Sequence, residues 1–315
     1  MTTLSEAAQL LAAHDSIVLL THQNPDGDTL GSAFALCYAL TAQGKSVQVR
    51  CPDPIPGRFS FLQRDYVSQE LTDAYVVAVD VASPSLLGHL WKKENPDPID
   101  LCIDHHPSNS GYAEEYYVDP TASATCEIIY SLLAEMGITP TPLVADCLYT
   151  GIATDSGCFR FSNTTAKTHR IAAELFDLGA RTAWINEHFF ERKSRERIEV
   201  EKCVLNTIEF FHQGRIALIE IPLSLLKETG ADESELDGVS AIPRTIDGVV
   251  VGITIRQKED DVYKVSLRTT AEIDASAVCA VFGGGGHARA AGCLLRGDYE
   301  TVKYKLVEEC ARHLK

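Results

Sequence analysis

Acidic and imidazole side chains stand where the apolar runs of this chain end. "VVAVDVAS" (76–83) breaks off at Asp80, and "SIVLL" is followed by "THQNPDGD" (21–28), with His22, Asp26 and Asp28. "DLCI" is followed by "DHH" (104–106), with Asp104, His105 and His106, and Asp155 follows the apolar stretch "VADCLYTGIAT". Singly, each has an ordinary explanation: a strand-end Asp is a turn or cap residue, and Asp28 is well placed to N-cap the segment after it. Jointly they do not. Four or five carboxylates brought together repel one another and take up protons unless positive charge lies between them. Carboxylate and imidazole donors without a thiolate suit Mn²⁺ or Mg²⁺, with Co²⁺ and Zn²⁺ as further candidates. The donors outnumber the needs of one ion, which predicts two divalent ions about 3.5–4 Å apart sharing a bridging carboxylate. Pro25 and Gly27 bracket Asp26 in a turn, which allows Asp26 and Asp28 to point to different ions.

The elements that must position these residues follow from periodicity. "SIVLLT" (16–21), "SVQVRC" (46–51), "AYVVAVD" (74–80) and "DLCID" (100–104) read as short buried strands. Between them lie a helix over 28–44 ending at Gly44 and a weaker one over 83–93. Such alternation predicts an α/β fold with a parallel sheet, and ligands of such sheets gather beyond the carboxyl ends of the strands. Residues 120–190 read as mainly helical, with Gly137 and Gly179 as C′ glycines. Residues 188–214 read as a charged helical connector packing on the first domain, and "ERKSRER" (191–197) as a solvated helix face. Beyond it, "RIALIEIP", "GVVVGITIRQ" and "VYKVSLRTT" read as strands and "DYETVKYKLVEECARHLK" as an amphipathic helix. The expected organisation is a catalytic domain over 1–190, a helical linker over 191–214 and a smaller α/β domain over 215–315.

Composition narrows the function. A chain of 315 residues has room for two cores. The start lacks the basic and long apolar regions of a secretory signal, and no apolar run approaches the length of a membrane span. Ten cysteines without paired spacing read as reduced, mostly buried thiols, so a cytoplasmic protein is expected, with no membrane partner. With 44 acids against 28 bases, a net charge of -16 opposes any grip on long nucleic acid, which requires a basic surface. A short anionic substrate met by bound cations is compatible with it.

"THQNPDGDTLGS", "VVAVD", "DHHPSN" and "GIATDSGCFRFSNTT" resemble, in order, the four motifs of the DHH phosphoesterases, and "GGGGHARAAG" (283–292) resembles the C-terminal signature of their RecJ-like branch. The size resembles the nano-RNase/3′-phosphoadenosine 5′-phosphate (pAp) phosphatase group. By that resemblance His22, Asp26 and Asp80 hold one ion, and Asp28, Asp80, His105 and Asp155 the other. Asp80 bridges, His106 faces the scissile phosphate and Asp104 orients the histidines. A glycine tract alone is a weak phosphate signal; it also suits a tight turn requiring positive φ. The resemblance favours binding of a terminal phosphate by Gly283, Gly284, Gly285, Gly286, His287 and the Arg268 fork, opposite the metals across a cleft. Arg160 reads equally as a phosphate ligand or a surface ion-pair partner, and Tyr116, Tyr117 and Trp184 read as packing residues. The activity implied is hydrolysis of dinucleotides such as pApA or pGpG and of nanoRNA, with removal of the 3′-phosphate of pAp. Homodimerisation is a family expectation. The rivals are a RecJ-type exonuclease on long single strands, a manganese pyrophosphatase or exopolyphosphatase, which the "GGGGH" tract disfavours, and a non-catalytic nucleotide sensor.

Overall fold

The computed structural model describes residues 1–91, 98–236, 238–270 and 272–314, and divides into two compact units, Met1–Arg192 and Lys193–Lys315. The first unit runs α1 (Leu4–Ala13), β1 (Ser16–Leu20), α2 (Gly27–Ala42), β2 (Ser46–Arg50), β3 (Tyr75–Val79), β4 (Leu101–Asp104), β5 (Glu115–Val118), α3 (Thr125–Glu135), α4 (Pro142–Asp155), α5 (Ala166–Asp177) and α6 (Thr182–Asn186). Its five strands are all parallel, in the order β2-β1-β3-β4-β5. From β1 the chain crosses to one side to form β2 and then returns to the other to form β3. The topological switch therefore lies between the carboxyl ends of β1 and β3, where His22 and Asp80 emerge.

Helix α2 is buried along most of its length and packs on α4. Glycine makes that contact possible. A Cβ on Gly31 would lie 2.5 Å from Cys147 O, and one on Gly151 only 2.2 Å from Cys126 Sγ and 2.8 Å from Asp28 Oδ1. Helix α2 ends in a Schellman closure, with Gly44 at φ 87° and its amide donating to Thr41 O while Lys45 N donates to Leu40 O. Three local expectations are corrected. The N-cap of α2 is Asp26, whose Oδ1 accepts from Asp28 N and Thr29 N, so Asp28 sits inside the first turn. Residues 84–90 form 3₁₀ turns kinked at Gly88 (φ 53°) instead of a helix, while Lys92 and Lys93 of that expectation lie outside the described residues. The fifth strand, "EYYV", was not anticipated.

The second unit comprises α7 (Arg195–Asn206), β6 (Glu209–Phe211), β7 (Ile216–Ile221), α8 (Leu225–Thr229), β8 (Val251–Glu259), β9 (Val262–Thr269), α9 (Ala275–Ala280), β10 (Gly285–His287), β11 (Ala290–Arg296) and α10 (Tyr299–His313). Its mixed sheet has the order β10-β11-β9-β8-β7-β6, with β7 and β8 parallel and the other pairs antiparallel. Ile253, Val265 and Leu267 bury one sheet face with Val278 of α9 and Leu306 of α10. The 188–214 stretch is not one helix. A π turn over Glu187–Glu191 gives way to extended backbone at Arg192, α7 follows, and "EFF" becomes β6, paired to β7 through a turn with His212, Gln213 and Gly214 at positive φ. Phe189 and Phe190 pack against the first core, whereas Val200 and Val204 of α7 join Ile219, Ile221 and Val239 of the second unit. All ten cysteines are free thiols. Among the described residues no helix is long and apolar enough to cross a membrane.

Candidate metal centre

Asp80 leaves β3 with φ 61°, a left-handed backbone that Asp tolerates better than most side chains, while its amide still donates to Ile103 O at 2.9 Å. This twist at the strand end sets the 2% exposed carboxylate at the switch point. Its Oδ2 lies 3.6 Å from His22 Nε2, which is also 3.6 Å from Asp26 Oδ1. Its Oδ1 lies 3.7 Å from His105 Nε2, which is in turn 3.9 Å from Asp28 Oδ2 and 3.6 Å from Asp155 Oδ2. Three donor groups result, His22–Asp26–Asp80, Asp28–His105–Asp155 and Asp80–His105–His106, and Asp80 reaches both of the first two.

These separations exceed a hydrogen bond. They approach the spacing of two ligands on one ion, since bonds of about 2.1 Å at roughly tetrahedral angles set donors about 3.5 Å apart. Imidazole tautomers agree: His22 Nδ1 donates to Gln23 O at 2.8 Å and His105 Nδ1 to Ala122 O at 3.2 Å, turning each Nε2 into the cluster. Electrostatics agree as well. Burial and the neighbouring charges of Asp80, Asp155 and Asp26 push the Asp28 carboxyl well up, and burial chiefly raises Asp155 to about 6. Burial opposes a charge on His22, but the Asp26 and Asp80 carboxylates outweigh it and drive the imidazole to about 11. Without other cations the cluster retains protons; the donor set fits divalent ions.

His106 is held differently. Its Nδ1 donates to Asp104 Oδ1 at 2.7 Å and lies 3.6 Å from Asp80 Oδ1. The Asp104 hydrogen bond raises it to about 9, while the fully buried Asp104 carboxyl is held below its ordinary value against its own desolvation. Asp104 also accepts from His105 N at 2.9 Å and from Asn109 Nδ2 at 2.7 Å, so one carboxylate fixes both histidines.

Three residues with no assigned role prove close to the cluster. Asn109 braces Asp104, as above. Thr125 Oγ1 donates to Asp80 Oδ1 at 2.8 Å, and Asn163 Nδ2 donates to Asp155 O at 3.2 Å. Asn109 and Asn163 fall inside recognisable motifs and Thr125 outside them, and nothing in the types or spacing of the three marks the contacts. Arg160 is exposed, with its Nε donating to Gly157 O. Tyr117 and Trp184 pack against the main core, and Tyr116 against a smaller one.

In the second unit, the glycine tract is a sheet-edge hairpin. A Cβ on Gly284 would lie 2.2 Å from Gly292 O and one on Gly286 2.6 Å from Ala290 O, so these two are required by close backbone approach. Gly283 is left-handed at φ 73°, whereas a Cβ on Gly285 would meet nothing within 4 Å. Register places His287 opposite Ala290 and Ala290 opposite Arg268, so His287 and Arg268 share one sheet face, as do Gly285, Gly292 and Ser266.

The parallel sheet with a donor cluster at its switch point, followed by a separate mixed-sheet unit, defines the two-domain α/β architecture of a DHH-type phosphoesterase. Residues 16–152 match the DHH family, N-terminal domain, and residues 216–312 match the DHHA1 domain. The chain belongs to the DHH family and is a phosphoric ester hydrolase. It is 34% identical to a bifunctional oligoribonuclease and PAP phosphatase of Thermus thermophilus, over 97% of this chain and 94% of that protein. The Bacillus subtilis protein of the same description is 28% identical over 98% of this chain and 99% of its own. An exopolyphosphatase-related protein of Bacteroides fragilis shares the fold at a TM-score of 0.90, with 22% identity and coverage of 98% and 96% of the two chains.

Proposed function

We propose that this enzyme is a divalent-cation-dependent phosphodiesterase that hydrolyses short oligonucleotides to mononucleotides and also removes the 3′-phosphate of pAp. The observation that carries the reading is Asp80, a buried carboxylate whose two oxygens face two separate donor sets. Near full-length similarity to the Thermus protein supports the substrate class. When bound, the two ions supply charge neutralisation at the phosphoryl group and a nucleophile at neutral pH. Mn²⁺ is the ion favoured by the donor chemistry, with Mg²⁺ and Co²⁺ as substitutes.

The side chains divide the work. His22, Asp26 and Asp80 form one ligand set, and Asp28, Asp80, His105 and Asp155 the other. Asp104 keeps a proton on His106 Nδ1, so Nε2 is the atom that serves the phosphate or the leaving oxygen. Arg268, His287 and the Gly283–Gly286 backbone take the terminal phosphate, with Gly285 exposed and sterically unconstrained on that face. The charge of -16 supports short substrates. A cytoplasmic setting accords with ten free thiols. Homodimerisation rests on the family resemblance alone.

The test is hydrolysis of pAp, pApA, pGpG, a 5-mer RNA, a 25-mer single-stranded DNA and pyrophosphate, with Mn²⁺ and with chelator. Cleavage of the first four that chelation abolishes is expected. Dominant cleavage of the 25-mer would replace the reading with a long-strand exonuclease. Metal binding without any hydrolysis would replace it with a sensor.

A further inference from the structure

We infer that Thr125 is a positioning residue that fixes the bridging carboxylate Asp80, and that the N-terminus of α3 thereby sets the affinity of the second ion site; this rests on the two-ion reading above. Helix α3 begins without a side-chain cap of its own, because its N-cap is Ala124. The donors left open at such an end need acceptors. The metal cluster provides them. Thr125 N donates to Asp28 Oδ2 at 2.6 Å, Cys126 N to Asp28 Oδ1 at 2.9 Å, and Thr125 Oγ1 to Asp80 Oδ1 at 2.8 Å.

Three donors from one helix end therefore engage Asp28 and Asp80, two of the three carboxylates that face His105, and the positive helix terminus lies against them. None of the three donors reaches the His22 side: Asp80 Oδ2, 3.6 Å from His22 Nε2, is left to the other set. The Thr125 hydroxyl thus decides which Asp80 oxygen serves which set, holding the carboxylate across both. Thr125, Asp28 and Asp80 are at most 2% exposed, so water cannot readily take over the lost hydrogen bond. A β-branched replacement without the hydroxyl, Thr125→Val, keeps the shape and both amide contacts to Asp28 while removing only the Asp80 contact. Thr125→Ser restores the donor.

The test compares wild type, Thr125→Val and Thr125→Ser by Mn²⁺ titration calorimetry, by the exchange coupling of paired Mn²⁺ in electron paramagnetic resonance, and by kcat and KM on pApA. Thermal melting checks that each variant is folded. Losing an outer-shell partner costs on the order of 10–100-fold in metal affinity or rate. The expected result is that Thr125→Val weakens the second Mn²⁺ by that factor, diminishes the coupled signal and lowers kcat with KM nearly unchanged, and that Thr125→Ser recovers all three. Two Mn²⁺ bound by Thr125→Val with wild-type affinities and coupling would overturn the role of Thr125 while leaving the two-ion enzyme intact. A wild type that binds no Mn²⁺ pair would overturn both.

Discussion

Gly151→Ala tests how far the active geometry depends on the α2–α4 contact. The added Cβ would lie 2.2 Å from Cys126 Sγ, 2.8 Å from Asp28 Oδ1 and 3.0 Å from Asp28 Cα, where ordinary contact begins at 3.4 Å. Relief to 3.4 Å moves Cys126 of α3 by about 1.2 Å and Asp28 of α2 by about 0.6 Å, and the α3 amides that hold Asp28 shift together with Cys126. Overpacking of this kind costs roughly 1–3 kcal/mol. Replacing a helical glycine by alanine returns about 1 kcal/mol. The net loss is about 0–2 kcal/mol, which lowers the melting temperature of a unit of this size by at most about 8 °C. The rate responds far more: a displacement of about 1 Å in a catalytic group costs on the order of 100-fold. Mn²⁺-dependent hydrolysis of pApA alongside thermal melting should therefore show a folded protein with roughly 1% of wild-type kcat. Adding Cys126→Ala removes the closest atom and restores stability but not rate, since the Asp28 contact persists. Activity of Gly151→Ala within about threefold of wild type would refute the reasoning.

Two further outcomes follow from the site and the sheet edge. Gly285→Ala should leave the melting temperature unchanged and raise KM for pAp about tenfold (~1.4 kcal/mol), while Gly284→Ala, with its Cβ 2.2 Å from Gly292 O, should lower the melting temperature; an unchanged KM in Gly285→Ala would remove that sheet face from substrate binding. The metal-free protein should lose stability as pH rises. His22, raised to about 11, contributes stability that is fully present below about 6.5, its ordinary value, and is lost as pH climbs towards 11, at about 1.4 kcal/mol per pH unit. A melting series from pH 6.5 to 9 in chelator should fall, and saturating Mn²⁺ should flatten it; a metal-free series that rises would contradict the charge balance of the cluster.

The parts of the fold that sequence patterning revealed are those with strong local signals. β1, β3 and β4 are short apolar runs that give way to acids and histidines, so the strands and the candidate donors near their ends are marked by the same feature. "EYYV" escaped because it begins with one acid and follows another, and it becomes a strand by pairing with β4, a contact local pattern does not display. The Asp26–Asp28 reversal has a similar origin: both are good N-caps, and which one caps depends on where α2 is stopped by its packing on α4. Thr125 lies 45 positions from Asp80 and 97 from Asp28, counted along the chain. Its hydroxyl and amide contacts exist only through tertiary structure. Likewise the glycine tract announced itself, but which glycines the backbone needs became clear only once β10 lay against β11.

The donors of the cluster come from the ends of separate elements, between His22 and Asp155, and no segment carries a complete set. On the two-ion reading, divalent ions would bind the assembled domain and not the open chain, which would make them stabilisers of the fold as well as reagents. At a free ion concentration of 100 times Kd this linkage amounts to about 2.7 kcal/mol for one site. On that reading susceptibility to proteolysis would rise as free cation falls, because the open chain is the form a protease cuts.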